Sequence, residues 1–129
     1  MSDKFTIEII TPEKTILKSE ATEVTIPSFE GQMGILKDHI PLITFLRPGL
    51  ILVQNQEKKK YFVEEGTVEF SDNNLLILTS TAKDLKNMEK NLINDLIDQA
   101  EKNLKDNGLS DKDKYIISYK IDTLKEINQ

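Results

Sequence analysis

Few residues of this chain are of a type that could carry out chemistry. His39 is the only histidine among 129 residues, and cysteine is absent. A nucleophilic mechanism would have to pair His39 with Asp38, and no orienting pattern surrounds a serine. Zinc needs more than one imidazole where no thiolate is present. We therefore favour His39 as a structural hydrogen-bonding residue or a surface contact at the turn before Ile40 and Pro41. A small hydrolase centred on His39 and Asp38 is the alternative.

The other possible sites have simpler interpretations. Gly31 and Gly34 lack the GxGxxG spacing of a phosphate-binding loop, and a strand pattern follows them where a helix should begin. Glu64 and Glu65 are adjacent in a predicted strand, so their side chains point to opposite faces and do not form an acid-base pair. The lysines at 58–60 are typical of a hairpin tip that protects a sheet edge. We expect no catalytic centre, no metal and no cofactor.

Composition favours a folded domain that binds other proteins. Hydrophobic residues make up 38% of the chain and charged residues 30%, a balance typical of a packed core. The net charge of -5 opposes binding to nucleic acid, because phosphate groups are bound mainly by clustered Lys and Arg. A strand pattern begins within a few residues of Met1, and no apolar run approaches the roughly 20 residues that span a bilayer. We expect no export signal and no direct membrane insertion.

Residues 5 to 79 show the alternation of a β-sheet. Apolar side chains recur at every second position, as at Phe5, Ile7 and Ile9, which places them on one face of a strand. Segments rich in Pro, Gly, Asn and Asp interrupt this alternation at 11–14, 47–49, 55–58 and 71–74. Short strands at such a spacing predict a sandwich or a barrel.

A helical period replaces the alternation after Thr81. We predict that a first helix begins near Asp84, that Asn107 and Gly108 end it, and that Ser110 caps a second helix over residues 111–127. The apolar positions of the first helix are Leu85, Met88, Leu92, Ile93, Leu96, Ile97, Ala100 and Leu104. The two helices should form an antiparallel hairpin. The predicted domains are a β-sandwich over residues 1–82 and a helical hairpin over residues 83–129.

Several short motifs at fixed spacings lie in the first half of the chain. They are Glu30-Gly31, Gly34-Ile35, His39, Pro41-Leu42 and Leu46-Arg47-Pro48-Gly49. Together with residues 62–70 and 78–82, this set resembles the epsilon subunit of F-type ATP synthases, the counterpart of the mitochondrial delta subunit. The resemblance covers nearly the whole predicted β-domain, and the tail agrees with it in length and class.

The resemblance implies both a fold and a function. The fold is of the α+β class, an N-terminal antiparallel β-sandwich of about ten strands followed by a C-terminal antiparallel helical hairpin. The function is that of a non-catalytic rotor subunit of the central stalk, which couples proton flow through the membrane c ring to ATP synthesis via the gamma subunit. The implied partners are the gamma subunit, the c-subunit ring, and the alpha and beta subunits, which the hairpin would contact.

The resemblance also implies a location and a contact site. The location is peripheral, at the cytoplasmic face of a bacterial cell membrane or alternatively at the matrix side of the mitochondrial inner membrane. In the family, the turn that corresponds to Gln32, Gly34 and His39 faces the polar loops of the c ring. Gln32 stands where the family often has Glu, so one charged contact would be absent here.

The chain departs from one motif of the family, the nucleotide-binding motif of the first helix. Some bacterial members bind ATP through Ile/Leu-Asp-x-x-Arg-Ala in the first helix, and the best match here, at residues 85–90, has Lys86 and Glu89 in place of the Asp and the Arg. Glu89 would repel a triphosphate, and the only arginine is Arg47, in the head. We therefore expect no nucleotide binding. The resemblance further implies that an extended tail can slow ATP hydrolysis, and a free-standing β-sandwich adaptor is the alternative function.

Overall fold

A computed structural model describes residues 3–128 of the chain. Met1, Ser2 and Gln129, which the predicted domains 1–82 and 83–129 include, lie outside the described residues. The strands are β1 (Phe5–Ile10), β2 (Thr15–Ala21), β3 (Glu23–Ser28), β4 (Gly31–Leu36), β5 (Leu42–Leu46), β6 (Gly49–Gln54), β7 (Lys58–Val63), β8 (Gly66–Ser71), β9 (Asn74–Leu78) and β10 (Ala82–Asp84). A short 3-10 turn (Leu85–Asn87) leads to α1 (Lys90–Leu104) and α2 (Asp111–Ile127).

The strands form two facing layers that are joined through β3. One layer contains β5, β8, β9, β1 and β2 in that order, and the other contains β10, β7, β6, β3 and β4. The first half of β3 pairs with β6, and Ser28 at its end pairs with Leu46 of β5. Every pair is antiparallel except β1 with β9, which is parallel. The predicted β-sandwich of about ten strands is confirmed, with this one parallel pair added.

The core lies between the two layers. Inward positions alternate with outward ones, so that Ile7 and Ile9 in β1 and Ile51 and Val53 in β6 are buried. Phe70 is the largest fully buried side chain, and its ring meets the edge of the Phe5 ring at a centroid distance of 5.7 Å. The alternation that predicted the strands is therefore the alternation of the core.

The first helix begins later than the sequence predicts. Helix α1 starts at Lys90 and not near Asp84, because Ala82–Asp84 form β10 and pair with the end of β7. The Asp84 carboxylate accepts a hydrogen bond from the Lys86 backbone N–H at 3.0 Å and caps the 3-10 turn, and Met88 then adopts an extended backbone. Strand β10 crosses the predicted boundary after residue 82, and the division into two domains stays a prediction.

The second helix and the hairpin agree with the sequence. Helix α2 spans Asp111–Ile127, and the Ser110 hydroxyl accepts a hydrogen bond from the Asp113 backbone N–H at 3.1 Å. The helices run antiparallel, since Asn128 after the end of α2 donates to Asn94 near the start of α1 at 2.9 Å.

The hairpin docks on the outer face of the β6–β7 layer. A second hydrophobic cluster joins them, and its buried members are Phe62, Met88, Ile93, Ile97 and Leu124. The side chain of Leu92, predicted to lie on the apolar stripe, is instead exposed, because the buried stripe of α1 is centred on Ile93, Ile97 and Ala100. Isolated helices of this length are marginal in water, so the hairpin depends on this cluster for its order.

Candidate functional site

The largest exposed hydrophobic side chains of the head include a group on one surface, which we call the apolar face. It consists of Phe29, Ile43, Phe45 and Leu78, whose exposed fractions are 42%, 71%, 61% and 46%. Strand β5 presents two of them outward because its alternate residues Thr44 and Leu46 point into the core. Solvent-exposed apolar side chains gathered in this way typically mark a protein interface.

Strand pairing and loop contacts bring the apolar face together. Thr67 of β8 pairs with Phe45 on one side and with Leu78 of β9 on the other, so both aromatic and aliphatic side chains lie in one row across the sheet. The backbone N–H of Phe29 donates to the Phe45 carbonyl at 3.2 Å. Backbone hydrogen bonds therefore hold Phe29, Phe45 and Leu78 close to one another.

The three residues predicted to face the c ring lie along one stretch of the head. Gln32 and Gly34 occupy outward, exposed positions of β4, and His39 follows in the turn after that strand. Gln32 lines a cavity of about 220 Å³ together with Thr123 and Glu126 of α2, so it faces the hairpin. Leu36, at the other end of β4, is four extended residues and about 13 Å away from Gln32. The structure brings Gln32 close to Gly34 but separates it from His39.

His39 has a structural environment. Its Nδ1 donates to the carbonyl of Ile40 at 2.7 Å, and its ring meets the edge of the Phe70 ring at a centroid distance of 5.9 Å. The Asp38 carboxylate accepts a hydrogen bond from the Asn73 side chain at 2.9 Å, and Asn73 in turn accepts one from the Asp38 backbone N–H. Asp38 is thus committed to the neighbouring turn and does not orient the imidazole. This geometry does not support the hydrolase alternative.

Polar contacts near the middle of α2 hold the hairpin to the head. The Arg47 guanidinium lies 4.1 Å from the centre of the Tyr119 ring, and the Lys120 ammonium lies 2.5 Å from a Glu64 carboxylate oxygen. Tyr115 donates to the Tyr119 hydroxyl at 2.9 Å, and this hydrogen bond raises the pKa of Tyr115. A guanidinium over an aromatic face stabilises the contact by electrostatic attraction to the ring. We call the Arg47–Tyr119 and Glu64–Lys120 contacts the latch.

The residues that could bind a metal or a nucleotide are placed as follows. Residues 3–128 contain no group of three or more His, Cys, Asp or Glu placed to hold a metal ion. Lys86 lies in the 3-10 turn and Glu89 precedes α1, so the two positions that depart from the family's nucleotide motif both lie outside α1. Across the same residues, neither helix has the length and apolar character needed to cross a lipid bilayer.

Comparison with known proteins decides the family. Residues 4–84 match the family model of the β-sandwich domain of the ATP synthase delta/epsilon chain. The ATP synthase epsilon chain of Pelagibacter ubique is 48% identical over 130 aligned positions, which cover 99% of this chain and 100% of that relative. This chain belongs to the ATP synthase delta/epsilon family. The predicted identity as an epsilon-type, non-catalytic stalk subunit is thereby confirmed.

A more distant relative and a solved structure agree with this assignment. The mitochondrial ATP synthase subunit delta of Schizosaccharomyces pombe is 36% identical and aligns with 84% of this chain and 69% of its own length. A chain in the cryo-EM structure of the Euglena gracilis mitochondrial ATP synthase, which comprises OSCP, F1 and the c-ring, superposes with a TM-score of 0.81 at 18% identity, over 100% of this chain and 84% of that one. At that identity the likeness establishes the two-part fold. As a family member, the chain is a subunit of a membrane-associated ATP synthase.

Sequence reasoning did not locate the apolar face or the latch. The residues Leu42-Ile43-Thr44-Phe45-Leu46 carry large apolar side chains on both faces of one strand, and this departure from alternation is the signal that could have found the face. Arg47 and Tyr119 lie far apart in the sequence and belong to no shared periodic pattern. The latch therefore becomes visible only in the folded chain.

Proposed function

We propose that this chain is a rotor subunit of the central stalk, in which the β-sandwich is held between the gamma subunit and the c-subunit ring. In this role it couples proton flow through the ring to ATP synthesis, with gamma as the shaft. The observation that carries the proposal is the apolar face on the head of an epsilon-type family member. Its side chains are fixed by a closely packed sandwich, and such an interior has low compressibility and transmits strain.

We assign the gamma subunit to the apolar face. Ile43 and Phe45 are more than half exposed, so a partner that buries them gains binding free energy from the hydrophobic effect. Burial of a side chain of this size contributes roughly 1.5 to 3 kcal/mol. A protein partner with a matching apolar surface is the natural occupant, because the face carries no cluster of basic residues for phosphate or lipid headgroups.

We assign the c ring to the length of β4 and the turn after it, along which Gln32, Gly34 and His39 are spread. Ile40, beside His39, is 74% exposed and Leu36 is 56% exposed, so this turn offers apolar contacts in addition to polar ones. The location that follows is peripheral, at the cytoplasmic face of a bacterial membrane or the matrix side of the mitochondrial inner membrane.

The hairpin gives the subunit a second role in this proposal. If it leaves the head, its two helices extend toward the alpha and beta subunits and slow ATP hydrolysis. Truncation after Asp84 keeps all ten strands and removes both helices, so hydrolysis by the complex with the truncated chain should be faster than with the whole chain. An unchanged rate of hydrolysis would contradict the proposed inhibitory role of the hairpin.

The main test compares two matched substitutions. Ile43→Ser removes one side chain of the apolar face, and Gln54→Ser makes a polar-to-polar change at an exposed strand position of the other layer. The loss of about 1.5 to 3 kcal/mol expected for Ile43→Ser corresponds to a dissociation constant for gamma roughly 10- to 150-fold weaker. Gln54→Ser should leave it unchanged. A wild-type chain without affinity for gamma would favour the free-standing adaptor instead.

A further inference from the structure

A groove connects the apolar face to the hairpin. It has a volume of about 450 Å³, and we call it the head–hairpin groove. Phe29, Phe45 and Thr67 line it from the head, and Lys112 in the first turn of α2 lines it from the hairpin. Phe29 and Phe45 also belong to the apolar face, so the face and the groove form one continuous surface. A partner that covers the face therefore also contacts the groove.

The latch joins α2 to head residues that adjoin the groove. Arg47 follows directly after β5, whose residues Phe45 and Leu46 line the groove, and Glu64 precedes Glu65, which lines it from the other side. Arg47 contacts Tyr119 and Glu64 contacts Lys120. Both contacts lie about two turns of helix after Lys112. Lys112 therefore lines the groove only while α2 is docked on the head.

We infer that an apolar or aromatic side chain of the gamma subunit enters the head–hairpin groove, so that gamma binds the docked form of the hairpin more tightly than the undocked form. This inference rests on the proposed function, since it extends the gamma contact from the head onto α2. Two binding equilibria that share a surface are coupled, and the coupling is reciprocal. Gamma bound to the head consequently resists release of the hairpin.

Lys112→Trp tests the groove by filling it. Lys112 is exposed at the second position of α2, where a larger side chain blocks the groove without disturbing the core. Lys114→Trp is the matched control, because it makes the same change two residues later, on the opposite side of the helix. Thermal unfolding of both variants should match that of the wild-type chain, which shows that neither change disrupts the fold.

The measurement is the dissociation constant of the full-length chain for gamma by calorimetry, with Ile43→Ser as a third variant. We expect Lys112→Trp and Ile43→Ser each to weaken binding about tenfold or more, and Lys114→Trp to leave it within about twofold. Equal affinities for Lys112→Trp, Lys114→Trp and wild type, together with a weakened Ile43→Ser, would overturn the groove and leave the apolar face intact. An unaffected Ile43→Ser would overturn the proposed gamma contact itself.

The reciprocal effect supplies an independent readout. Amide hydrogen exchange in α2 reports release of the hairpin, and gamma should slow it several-fold in the wild-type chain and in Lys114→Trp. Lys112→Trp should lose this protection, because the blocked groove no longer distinguishes docked from undocked hairpin. Equal protection in Lys112→Trp and wild type at saturating gamma would contradict the coupling.

Discussion

Leu124→Ala should separate the stability of the hairpin from that of the sandwich. Leu124 is fully buried in the second hydrophobic cluster, beside Phe62 of the head and Ile93 and Ile97 of α1. Replacing a buried Leu by Ala costs about 2 to 5 kcal/mol, depending on how far the surroundings can close the cavity. The hairpin rests on the outside of the sheet and can settle inward, so we expect about 2 to 3 kcal/mol, the lower part of that range.

Leu124→Ala should weaken docking of the hairpin on the head and leave the stability of the sandwich unchanged. A loss of about 2 to 3 kcal/mol corresponds to roughly 30- to 150-fold faster exchange of amides that require the hairpin to open. Native-state hydrogen exchange should show this acceleration in α1 and α2, with little change in β1 and β9. Lys125→Ala, at the exposed neighbouring position, should leave both sets of amides unchanged.

A substitution in the sandwich core serves as a second control. Leu75→Ala removes a side chain of the sandwich core, 1% exposed, and should accelerate exchange in β1 and β9 strongly. If Leu124→Ala accelerates exchange equally in the sandwich and in the hairpin, the two parts unfold as one unit and the reasoning about separate docking is refuted. If it accelerates neither, the second cluster does not hold the hairpin.

The remaining predictions concern the sandwich. Gly49→Ala should lower the free energy of unfolding, measured by chemical denaturation, by about 1 to 3 kcal/mol, because the added Cβ would lie 2.5 Å from the Cβ of Pro27. Gly34→Ala is the control. The nearest atom to its added Cβ is 3.7 Å away, so the free energy of unfolding should change by less than about 0.5 kcal/mol. Burial, and secondarily the carboxylate of Asp84, raise the pKa of Tyr61 above its ordinary value of 10.0, so the folded chain keeps this proton when the unfolded chain loses it. The contribution of Tyr61 to stability is therefore complete below about pH 10 and is lost as the pH rises through the folded-state pKa. Tyr61→Phe should make the free energy of unfolding less dependent on pH in that window, and an equal dependence on pH in the two chains would contradict this.

Much of the head could be predicted because its local signals agree with the tertiary fold. The alternation in β1 and the turn residues at 71–74 each require the backbone that the structure adopts. The parallel pairing of β1 with β9 was not predictable, because a strand's own pattern is the same for either neighbour direction. The predicted start of α1 near Asp84 is wrong because apolar residues before the helix have a helical spacing. Leu85, in the 3-10 turn, and Met88, in extended backbone, both contact the second cluster, so their spacing imitates the stripe of an α-helix.

The candidate site was less accessible from the sequence than the fold. His39 could be recognised as a turn residue from the proline that follows it closely, and its hydrogen bond to Ile40 agrees with that prediction. The assignment of Gln32, Gly34 and His39 to the c ring stays a prediction. The latch depends on Arg47 meeting Tyr119 across the head–hairpin contact, and no local propensity encodes a meeting between such distant residues.

The shared strand β3 has a mechanical consequence. In a sandwich made of two separate sheets, only side-chain packing and connecting loops oppose shear between the layers. Here backbone hydrogen bonds cross the seam, from Arg47 to the Pro27 carbonyl at 2.9 Å and from Phe29 to the Phe45 carbonyl at 3.2 Å. The seam lies directly beneath the aromatic part of the apolar face and beside the Arg47 contact to α2. A load applied to that face therefore passes into both layers along main-chain bonds, and the layers turn as one body.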